Sequence, residues 1–476
     1  MTYRFLLPIA LLITAYTLQA QKATKAVLSS LDEKSEQYAK NAMQIWDWAE
    51  VGYQEEKSSQ LHQGTLEAAG FKITSGVADI PTAFIAEYGS GEPVIAILAE
   101  YDALPGVSQK AIPEKSPVVV GGAGHACGHH LFGTGSVAAG IAVKEWIMQN
   151  NIKGTIRVYG TPAEEGGAGK VYMVRAGLFD DVDVVLHWHP SSSNGANPGY
   201  SLANKSAKFR FYGEASHAAA APERGRSALD GVEAMNHMVN LLREHVPSDT
   251  RIHYVITSGG EAPNVVPAFA EVFYYVRNPK VENVKTIFEK VVNAAEGAAM
   301  GTQTEMDYEV IHGLYNLLPN ETLAKVMHSK LSEIGGVPYD ADETAFAKKI
   351  QESYSGDYPL ANAGIVQPYS NKGGGSSGST DVGDVSWMVP TTGMGAATWV
   401  PGTSAHTWQA VAAGGTTIGT KAMMVAAKTI TLTAMEIFKN PQIADQAKAE
   451  LAVQRGENFI YDALIGDREP PLDYRK

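Results

Sequence analysis

The segment from His125 to His130 holds three histidines and the only cysteine of the chain, in the order His-Ala-Cys-Gly-His-His. Thiolate and imidazole are the ligands that zinc and related transition metals prefer in proteins. If the chain is extended here, Cys127 and His129 point to the same side, because side chains alternate along a strand. The pattern predicts a metal site. The alternative is a small buried cysteine beside histidines with a structural role.

Two adjacent carboxylates, Glu164 and Glu165, follow a predicted strand and Pro162, and two glycines come directly after them. Neighbouring carboxylates repel each other unless cations are present or the two side chains have separate roles. One can bind a metal while the other acts as general base towards a metal-activated water. The alternative is an ordinary exposed acidic turn. His189 and His406 add two further donors, although an isolated histidine such as His406 is more often structural.

Three predicted strands must position these side chains. The apolar runs 94–99, 155–159 and 182–186 alternate with helical patterns, and each run stops at a polar cluster. Such alternation is typical of an α/β sheet, whose ligands bind beyond the carboxyl ends of the strands. We therefore expect the donor clusters to share one edge of one sheet.

Two stretches depart from this α/β pattern. The order strand-helix-strand-strand-helix-strand over 203–312 predicts a ferredoxin-like module. It is an insertion, because the α/β pattern resumes at about residue 320. The Gly/Ser-rich stretch 370–379 fits either a linker or an active-site loop, since site-like residues follow it at once.

Four motifs of the chain resemble those of the co-catalytic metallopeptidases and amidohydrolases of the aminoacylase/carboxypeptidase G group, in the branch with a Cys ligand. They are Asp102-Ala103-Leu104-Pro105, Cys127-Gly128-His129, Ala163-Glu164-Glu165-Gly166 and His189. The resemblance covers roughly residues 35–435. It implies a mixed-sheet, zinc-peptidase-like α/β catalytic domain, 21–202 and 313–476, interrupted by a ferredoxin-like (α+β) lid/dimerisation domain, 203–312.

The resemblance also implies roles for individual residues. The metal ligands would be Cys127, His129, Glu165, His189 and His406. Because five donors exceed the needs of one tetrahedral zinc, the expectation is two divalent ions, either zinc or manganese. Glu164 would be the general base, and Asp102 would orient the ligands.

The inserted domain would supply the residues that contact the substrate. His217 resembles the lid histidine that polarises the substrate carbonyl, often from the neighbouring subunit of a homodimer. Asn264 and Arg277 resemble residues that hold the substrate, and a guanidinium suits a carboxylate.

Three positions have no clear assignment. Many members of the group have a ligand histidine where this chain has Glu100, and the Cys-bearing branch often has aspartate where this chain has His130. Asp381 matches a further motif of the group, but its role is open.

The implied activity is metal-dependent hydrolysis of an amide bond in N-acyl amino acids, aminobenzoyl-glutamate or small peptides. One alternative is an exported homologue that binds metal or peptide without catalysis. Another is a hydrolase with Cys127 as nucleophile and a histidine base. That second alternative leaves Glu164, Glu165, His189 and His406 without a role.

The composition and the N-terminal residues limit the binding partners and the cellular location of the protein. The chain has 476 residues, with 38 Lys+Arg against 51 Asp+Glu, which argues against nonspecific nucleic-acid binding. A single cysteine excludes an internal disulfide framework. Residues 1–20 carry Arg4, an apolar run and a Leu-Gln-Ala cleavage pattern, as in a secretory signal peptide. We expect an exported protein, periplasmic or secreted, without a stable membrane span.

Overall fold

The computed structural model describes residues 22–371 and 378–476. The predicted signal peptide and most of the Gly/Ser-rich stretch therefore lie outside the described residues. Among the helices that are described, none combines the length and the apolar character that crossing a membrane requires.

Ten strands form two separate sheets in the described chain. Their bounds are β1 Lys72–Ser75, β2 Phe84–Ser90, β3 Val94–Ala99, β4 Gly154–Gly160, β5 Val184–Ser191, β6 Ala203–Tyr212, β7 Arg251–Ser258, β8 Phe269–Asn278, β9 Glu305–Leu314 and β10 Thr391–Ala397. The first sheet has the order β1-β2-β4-β3-β5-β10 and the second has the order β7-β8-β6-β9.

Helices cover both sheets. Their bounds are α1 22–33, α2 Ser35–Trp48, α3 Glu56–Ala68, α4 His129–Asn150, α5 Gly169–Arg175, α6 Ala228–Leu242, α7 Val281–Thr302, α8 Glu321–Ile334, α9 Ala341–Gln351, α10 Val382–Met388, α11 Trp408–Gly414, α12 Thr417–Lys439 and α13 Gln442–Arg455.

The first sheet is mixed, as expected. Strand β3 runs parallel to β4 and β5, and β5 runs parallel to β10. Strand β2 pairs antiparallel with both β1 and β4. All six residues of β3 are apolar and buried, which is the pattern of a parallel strand covered on both faces. Helix α4 is apolar on nearly all sides and packs against both this sheet and α12, which also contacts the sheet.

The second sheet is made by the segment that interrupts the first. The chain runs β6-α6-β7-β8-α7-β9, which is the predicted ferredoxin-like order, and all its strand pairs are antiparallel. Its apolar side chains form a core of their own, distinct from the core of the first sheet. Strand β9 ends at Leu314, close to the expected boundary, and the exact division at 203 and 312 stays a prediction.

Strand β5 is longer than the sequence predicted. The expected strand stopped at residue 186, but β5 continues through His187, Trp188 and His189. Pairing with β10 extends it, because Gly393 and Gly395 of β10 lie opposite His187 and His189. The two histidines therefore lie on the strand itself and, two residues apart, share one face of the sheet.

Candidate metal centre

Seven donor side chains meet at the carboxyl edge of the first sheet. They are Glu100, Cys127, His129, Glu164, Glu165, His189 and His406, and they form three overlapping groups among the described residues. Within each group the potential ligand atoms lie no more than 4.8 Å apart. All five predicted ligands and the predicted base thus come together, with Glu100 added to them.

Different elements deliver these donors to one place. Glu100 directly follows β3, and Glu164 and Glu165 closely follow β4, so neighbouring parallel strands end side by side. Cys127 and His129 lie at the start of α4. The donors thus lie together at one edge of the sheet, as the sequence predicted, and the loop before α11 contributes His406.

The expected reason for the pairing of Cys127 with His129 was wrong. The chain is not extended here, because Gly128 has a left-handed backbone with φ 78° and His129 already begins α4. A Cβ at Gly128 would lie only 2.7 Å from the ring of Pro190. The glycine therefore permits a sharp entry into the helix that brings Cys127 and His129 together.

His129 lies between two carboxylates. Its Nδ1 is 2.8 Å from Asp102 Oδ1, and its Nε2 is 3.1 Å from Glu100 Oε2. The second oxygen of Asp102 accepts a hydrogen bond of 2.8 Å from the main-chain N–H of Glu165. Asp102 therefore fixes the ring of one donor and the backbone of another, as expected of a carboxylate that orients metal ligands.

The remaining donors form close pairs. Cys127 Sγ is 3.4 Å from His189 Nε2, and His406 Nε2 is 3.1 Å from Glu165 Oε1. His406 has a left-handed backbone with φ 62°, held by a hydrogen bond of 2.9 Å from its N–H to Ala126 O. Such a conformation costs free energy in a residue other than glycine, and at a functional site it places a side chain where it is needed.

Burial and crowding shift the acidity of these groups. Burial, followed by the neighbouring Glu165, raises the pKa of the Cys127 thiol well above its usual value. Burial, Glu100 and Glu165 likewise raise the pKa of Glu164. Burial alone would raise the pKa of Glu165, but the contact with His406 and the nearby His129 more than offset this and lower it.

The cluster fits a divalent metal. Glu100 Oε2, His129 Nε2 and Glu165 Oε1 are buried and form no well-directed hydrogen bond. Their contacts of 3.1 Å, between Glu100 Oε2 and His129 Nε2 and between Glu165 Oε1 and His406 Nε2, lack that geometry, and a poorly satisfied buried polar group costs free energy. A divalent cation among these atoms would remove that cost and the mutual repulsion of the carboxylates. Thiolate, imidazole and carboxylate together are ligands of zinc.

Lys170, at the start of α5, is a residue beside the donors that sequence reasoning missed. It is fully buried, and its Nζ lies 2.6 Å from Glu100 Oε1 and 2.7 Å from Asp381 Oδ1. Its main-chain N–H also donates to Asp381 Oδ2 at 2.9 Å. Glu100 and Asp381 therefore share one ammonium group. The sequence did contain a hint of this lysine, since Glu100 and Asp381 both resembled site residues and had no assigned cationic partner. A single lysine in a sequence is usually solvated, however, so Lys170 did not stand out.

Two histidines of the His-Ala-Cys-Gly-His-His motif are structural. His125 Nε2 donates to Ile45 O and His130 Nε2 donates to Gly414 O, both at 3.1 Å, and both rings are buried. Burial lowers the pKa of His125 to about 3, so this ring is neutral. His130 had no assigned role from the sequence, and its hydrogen bond gives it one in packing.

A cavity of about 470 Å³ opens beside the cluster. Cys127, Glu164, Glu165, His189 and His406 line one end of it. Apolar side chains line much of the rest, among them Phe132, Leu317, Leu318, Val382 and Met394. No lysine or arginine is found among the described residues that line it.

The three residues predicted on the lid do not line this cavity. His217 and Asn264 are exposed and lie on adjacent loops, where the N–H of Ala218 donates to Asn264 O at 3.0 Å. Arg277 lies on β8 with its guanidinium over the ring of Tyr275 at 5.3 Å. Within one protomer these side chains are therefore separate from the donor cluster.

The fold and the donor cluster together define a class of metallohydrolases. Its members have a mixed sheet with Cys, His and Glu donors at the carboxyl edge, and a ferredoxin-like segment interrupts that sheet domain. The comparisons with known proteins identify the same class. Residues 203–302 match the model of the peptidase dimerisation domain of the M20 family. The chain is 41% identical over 456 residues to a subunit of the p-aminobenzoyl-glutamate hydrolase of Escherichia coli strain K12, covering 90% of this chain and 95% of that protein.

Two further comparisons extend this result. The chain is 29% identical over 446 residues to the Xaa-Arg dipeptidase of Mus musculus, covering 90% of this chain and 92% of that protein. A dinuclear metal-binding peptidase of the M20 family from Bacillus subtilis shares the fold, with TM-score 0.58, 19% identity, and 87% and 99% of the two chains covered. The chain belongs to the M20 peptidase family and is a hydrolase of amide or peptide bonds.

Proposed function

We propose that this M20 metallo-amidohydrolase cleaves the amide bond of N-acyl amino acids, aminobenzoyl-glutamate or small peptides. The observation that carries the proposal is the cluster of carboxylate, imidazole and thiol donors beside a cavity, in which Glu100 Oε2, His129 Nε2 and Glu165 Oε1 are buried without a well-directed hydrogen bond. Support for an acyl-amino-acid substrate comes from the relative named for p-aminobenzoyl-glutamate, and support for dipeptides from the relative named for Xaa-Arg.

Two divalent ions, zinc or manganese, would occupy the cluster. The residues that would hold them are Cys127, His129, Glu165, His189 and His406. The overlap of the donor groups supports two adjacent positions, because the group with His189 shares Cys127 with one of the other groups and His129 with the second. The Bacillus subtilis peptidase, described as dinuclear, supports the same number. When bound, such ions lower the pKa of a water and polarise the carbonyl of the substrate.

Protein side chains would carry out the proton transfers of the reaction. Glu164 lies in the cavity wall beside the donors, where it can take a proton from the attacking water and return it to the leaving amine. Asp102 holds the ring of His129 and the N–H of Glu165, so that both donors keep their positions during the reaction.

The cavity and the lid would bind different parts of the substrate. The apolar part of the cavity, without lysine or arginine among its described lining residues, suits an uncharged acyl group. The carboxylate of the amino-acid part would then bind outside it, to Arg277 with Asn264. Because those residues and His217 lie away from the cavity of their own protomer, we propose that a second protomer of a homodimer supplies them.

Export from the cytoplasm is also part of the proposal, on the basis of residues 1–20. The pattern of Arg4, an apolar run and a small-residue cleavage site supports it. Comparing the mass of the protein purified from its native host with that of the full chain tests this. Loss of the first 20 residues is expected, and retention of them would contradict export with cleavage.

A panel of substrates with the purified protein tests the activity. We expect hydrolysis of N-acyl amino acids, with benzoyl and p-aminobenzoyl glutamate cleaved faster than the analogue with a p-carboxyl group, because the part of the cavity proposed for the acyl group is apolar and no lysine or arginine is found among its described lining residues. Dialysis against EDTA should abolish turnover, and zinc or manganese should restore it. Full activity after metal removal would instead favour a Cys127 nucleophile, and bound metal without turnover would favour a noncatalytic binding protein.

A further inference from the structure

We propose that Tyr474 and Arg475, in the C-terminal segment, are positioning residues that hold the main chain of Glu165 in the geometry needed for metal binding and turnover. Tyr474 Oη donates a hydrogen bond of 3.1 Å to Glu165 O, and Arg475 Nη2 donates one of 2.9 Å to the same oxygen. The inference rests on the proposed function in one respect, since it takes Glu165 as a metal ligand.

The two donors form one unit. The guanidinium of Arg475 lies over the ring of Tyr474, with 4.9 Å between Cζ and the ring centroid. The ring of Tyr474 in turn meets that of Tyr53 edge to face at 5.6 Å. A hydrogen bond from a charged donor is roughly twice as strong as one between neutral groups. The carbonyl of Glu165 is therefore held by a fixed and partly charged pair of donors.

The turn that carries the two glutamates leaves the carbonyl of Glu165 to these donors. Its own hydrogen bonds run from Gly166 N–H to Glu164 O at 2.7 Å and from Gly167 N–H to Ala163 O at 3.0 Å, and neither uses the carbonyl of Glu165. Adjacent buried carboxylates repel each other, which favours opening of the turn. Asp102 holds the N–H side of Glu165, and the C-terminal segment holds its C=O side.

The C-terminal segment is anchored well before it reaches the turn. Arg175 Nη1 donates to the carbonyls of Gly466 and Arg468, at 2.8 and 2.7 Å. Gln54 Nε2 donates to Leu472 O at 2.8 Å. These contacts fix the segment on the same domain that carries the site, so Tyr474 and Arg475 arrive in a set position.

The same segment also contacts the second sheet. Leu464 is buried in the core of that sheet, and Arg468 Nη1 donates to Val310 O and Ile311 O on β9. The continuous stretch 464–475 thus connects the inserted domain with Glu165. It acts on the site from outside the cavity, because neither Tyr474 nor Arg475 lines it.

Loss of the two donors should act on the metal site more than on folding. Outer residues that orient metal ligands typically change metal affinity or activity about 10- to 100-fold when they are removed. We therefore expect Arg475→Ala to weaken zinc binding about tenfold and to lower kcat about tenfold, with KM little changed. Tyr474→Phe removes one hydroxyl and should have a smaller effect, and Arg475→Lys should restore part of the loss.

The experiment measures the Kd for zinc by competition with a chromophoric chelator, kcat and KM on the best amide substrate, and thermal unfolding of the metal-free protein. Lys476→Ala, which removes the same charge from an exposed neighbour, is the matched control and should behave as the unaltered chain. The expected result is a weaker zinc Kd at an unchanged unfolding temperature of the metal-free protein.

A zinc Kd and a kcat within about twofold of the unaltered protein in both Arg475→Ala and Tyr474→Phe would overturn the proposal. A second result would also overturn it: the metal-free Arg475→Ala protein unfolds at a lower temperature, while Arg475→Lys and Tyr474→Phe keep an unchanged zinc Kd. In that case the two residues would stabilise the fold without positioning the metal ligand. If the unaltered protein hydrolyses no amide, the proposed function fails, while the zinc Kd still decides the role of Arg475.

Discussion

Lys170 is the common ion-pair partner of two buried carboxylates, Glu100 and Asp381. Its ammonium group lies between Glu100 and Asp381, and all three side chains are at most 2% exposed. Removing one partner from a buried ionic group is costly, because the remaining charges stay desolvated and unpaired. The arrangement also leaves the second oxygen of Glu100 directed at His129.

Lys170→Met should therefore destabilise the protein by about 3–5 kcal/mol in urea unfolding, because two carboxylates lose their common cation. The control is Lys325→Met on α8, which breaks an exposed ion pair with Glu321 and should leave the free energy of unfolding almost unchanged. A Lys170→Met protein as stable as the unaltered chain would show that the carboxylates do not need this cation.

At the scale of elements, the entry into α4 sets the distance between two donors. Gly128 has φ 78° and ψ 19° and is packed against Pro190, while Gly76, after β1, has a similar left-handed backbone, with φ 69° and ψ 28°, and open space around its Cα. The two glycines share the same backbone strain on substitution but differ in what a methyl group would meet. They therefore form a matched pair for measuring the effect of that contact.

Gly76→Ala should lower the free energy of unfolding by about 1–2 kcal/mol, which is the cost of a left-handed backbone in alanine. Gly128→Ala should cost more and should also weaken metal binding, because the new methyl group displaces Pro190 or the segment from Cys127 to His129. Urea unfolding and elemental analysis after dialysis measure both effects. Equal destabilisation of the two variants with full metal content would contradict this view of the helix entry.

Much of the element pattern was predictable from sequence, since it depends on local periodicity. The buried strand β3, the long helix α4 and the inserted strand-helix-strand-strand-helix-strand order all follow from patterns of a few residues. The donor cluster was predicted mainly from the resemblance of its motifs to a known family. Glu164 and Glu165 do lie just beyond a strand, but His189 lies on β5 and Cys127 lies at the start of α4. The extension of β5 through His189 was not, because pairing with β10, about 200 residues away in sequence, produces it.

The missed residues share a physical reason. Lys170, Tyr474 and Arg475 act through contacts with residues far away in sequence, and none lies in a motif with a recognisable spacing. Nothing local distinguishes a buried lysine or arginine from the solvated ones that are far more common. Only the packed structure identifies their partners.

At the scale of the whole molecule, the separation of His217 from the cavity of its own protomer has a clear consequence for a dimer. If the partner protomer supplies this histidine, Glu164→Gln and His217→Ala chains are each inactive as homodimers. A mixed dimer has one site that combines an intact Glu164 with an intact His217.

Coexpression of the two variants with different tags should therefore restore about one quarter of the activity, because half of randomly assembled dimers are mixed and one of their two sites is intact. The measurement is kcat per protomer of the coexpressed pool against each homodimer. No gain over the homodimers would contradict a site completed by the partner and would leave His217 acting within its own protomer or not at all.

Glu164 is proposed to move the protons while its neighbours hold the metal, and a Glu164→Gln protein separates these two roles. Elemental analysis should find the metal content of the unaltered protein, and kcat on the best amide substrate should fall about 10²- to 10⁴-fold, because the amide cannot accept the proton of the attacking water. Glu56→Gln, at an exposed glutamate of α3, should leave both values unchanged. Full activity of Glu164→Gln with intact metal would contradict the account.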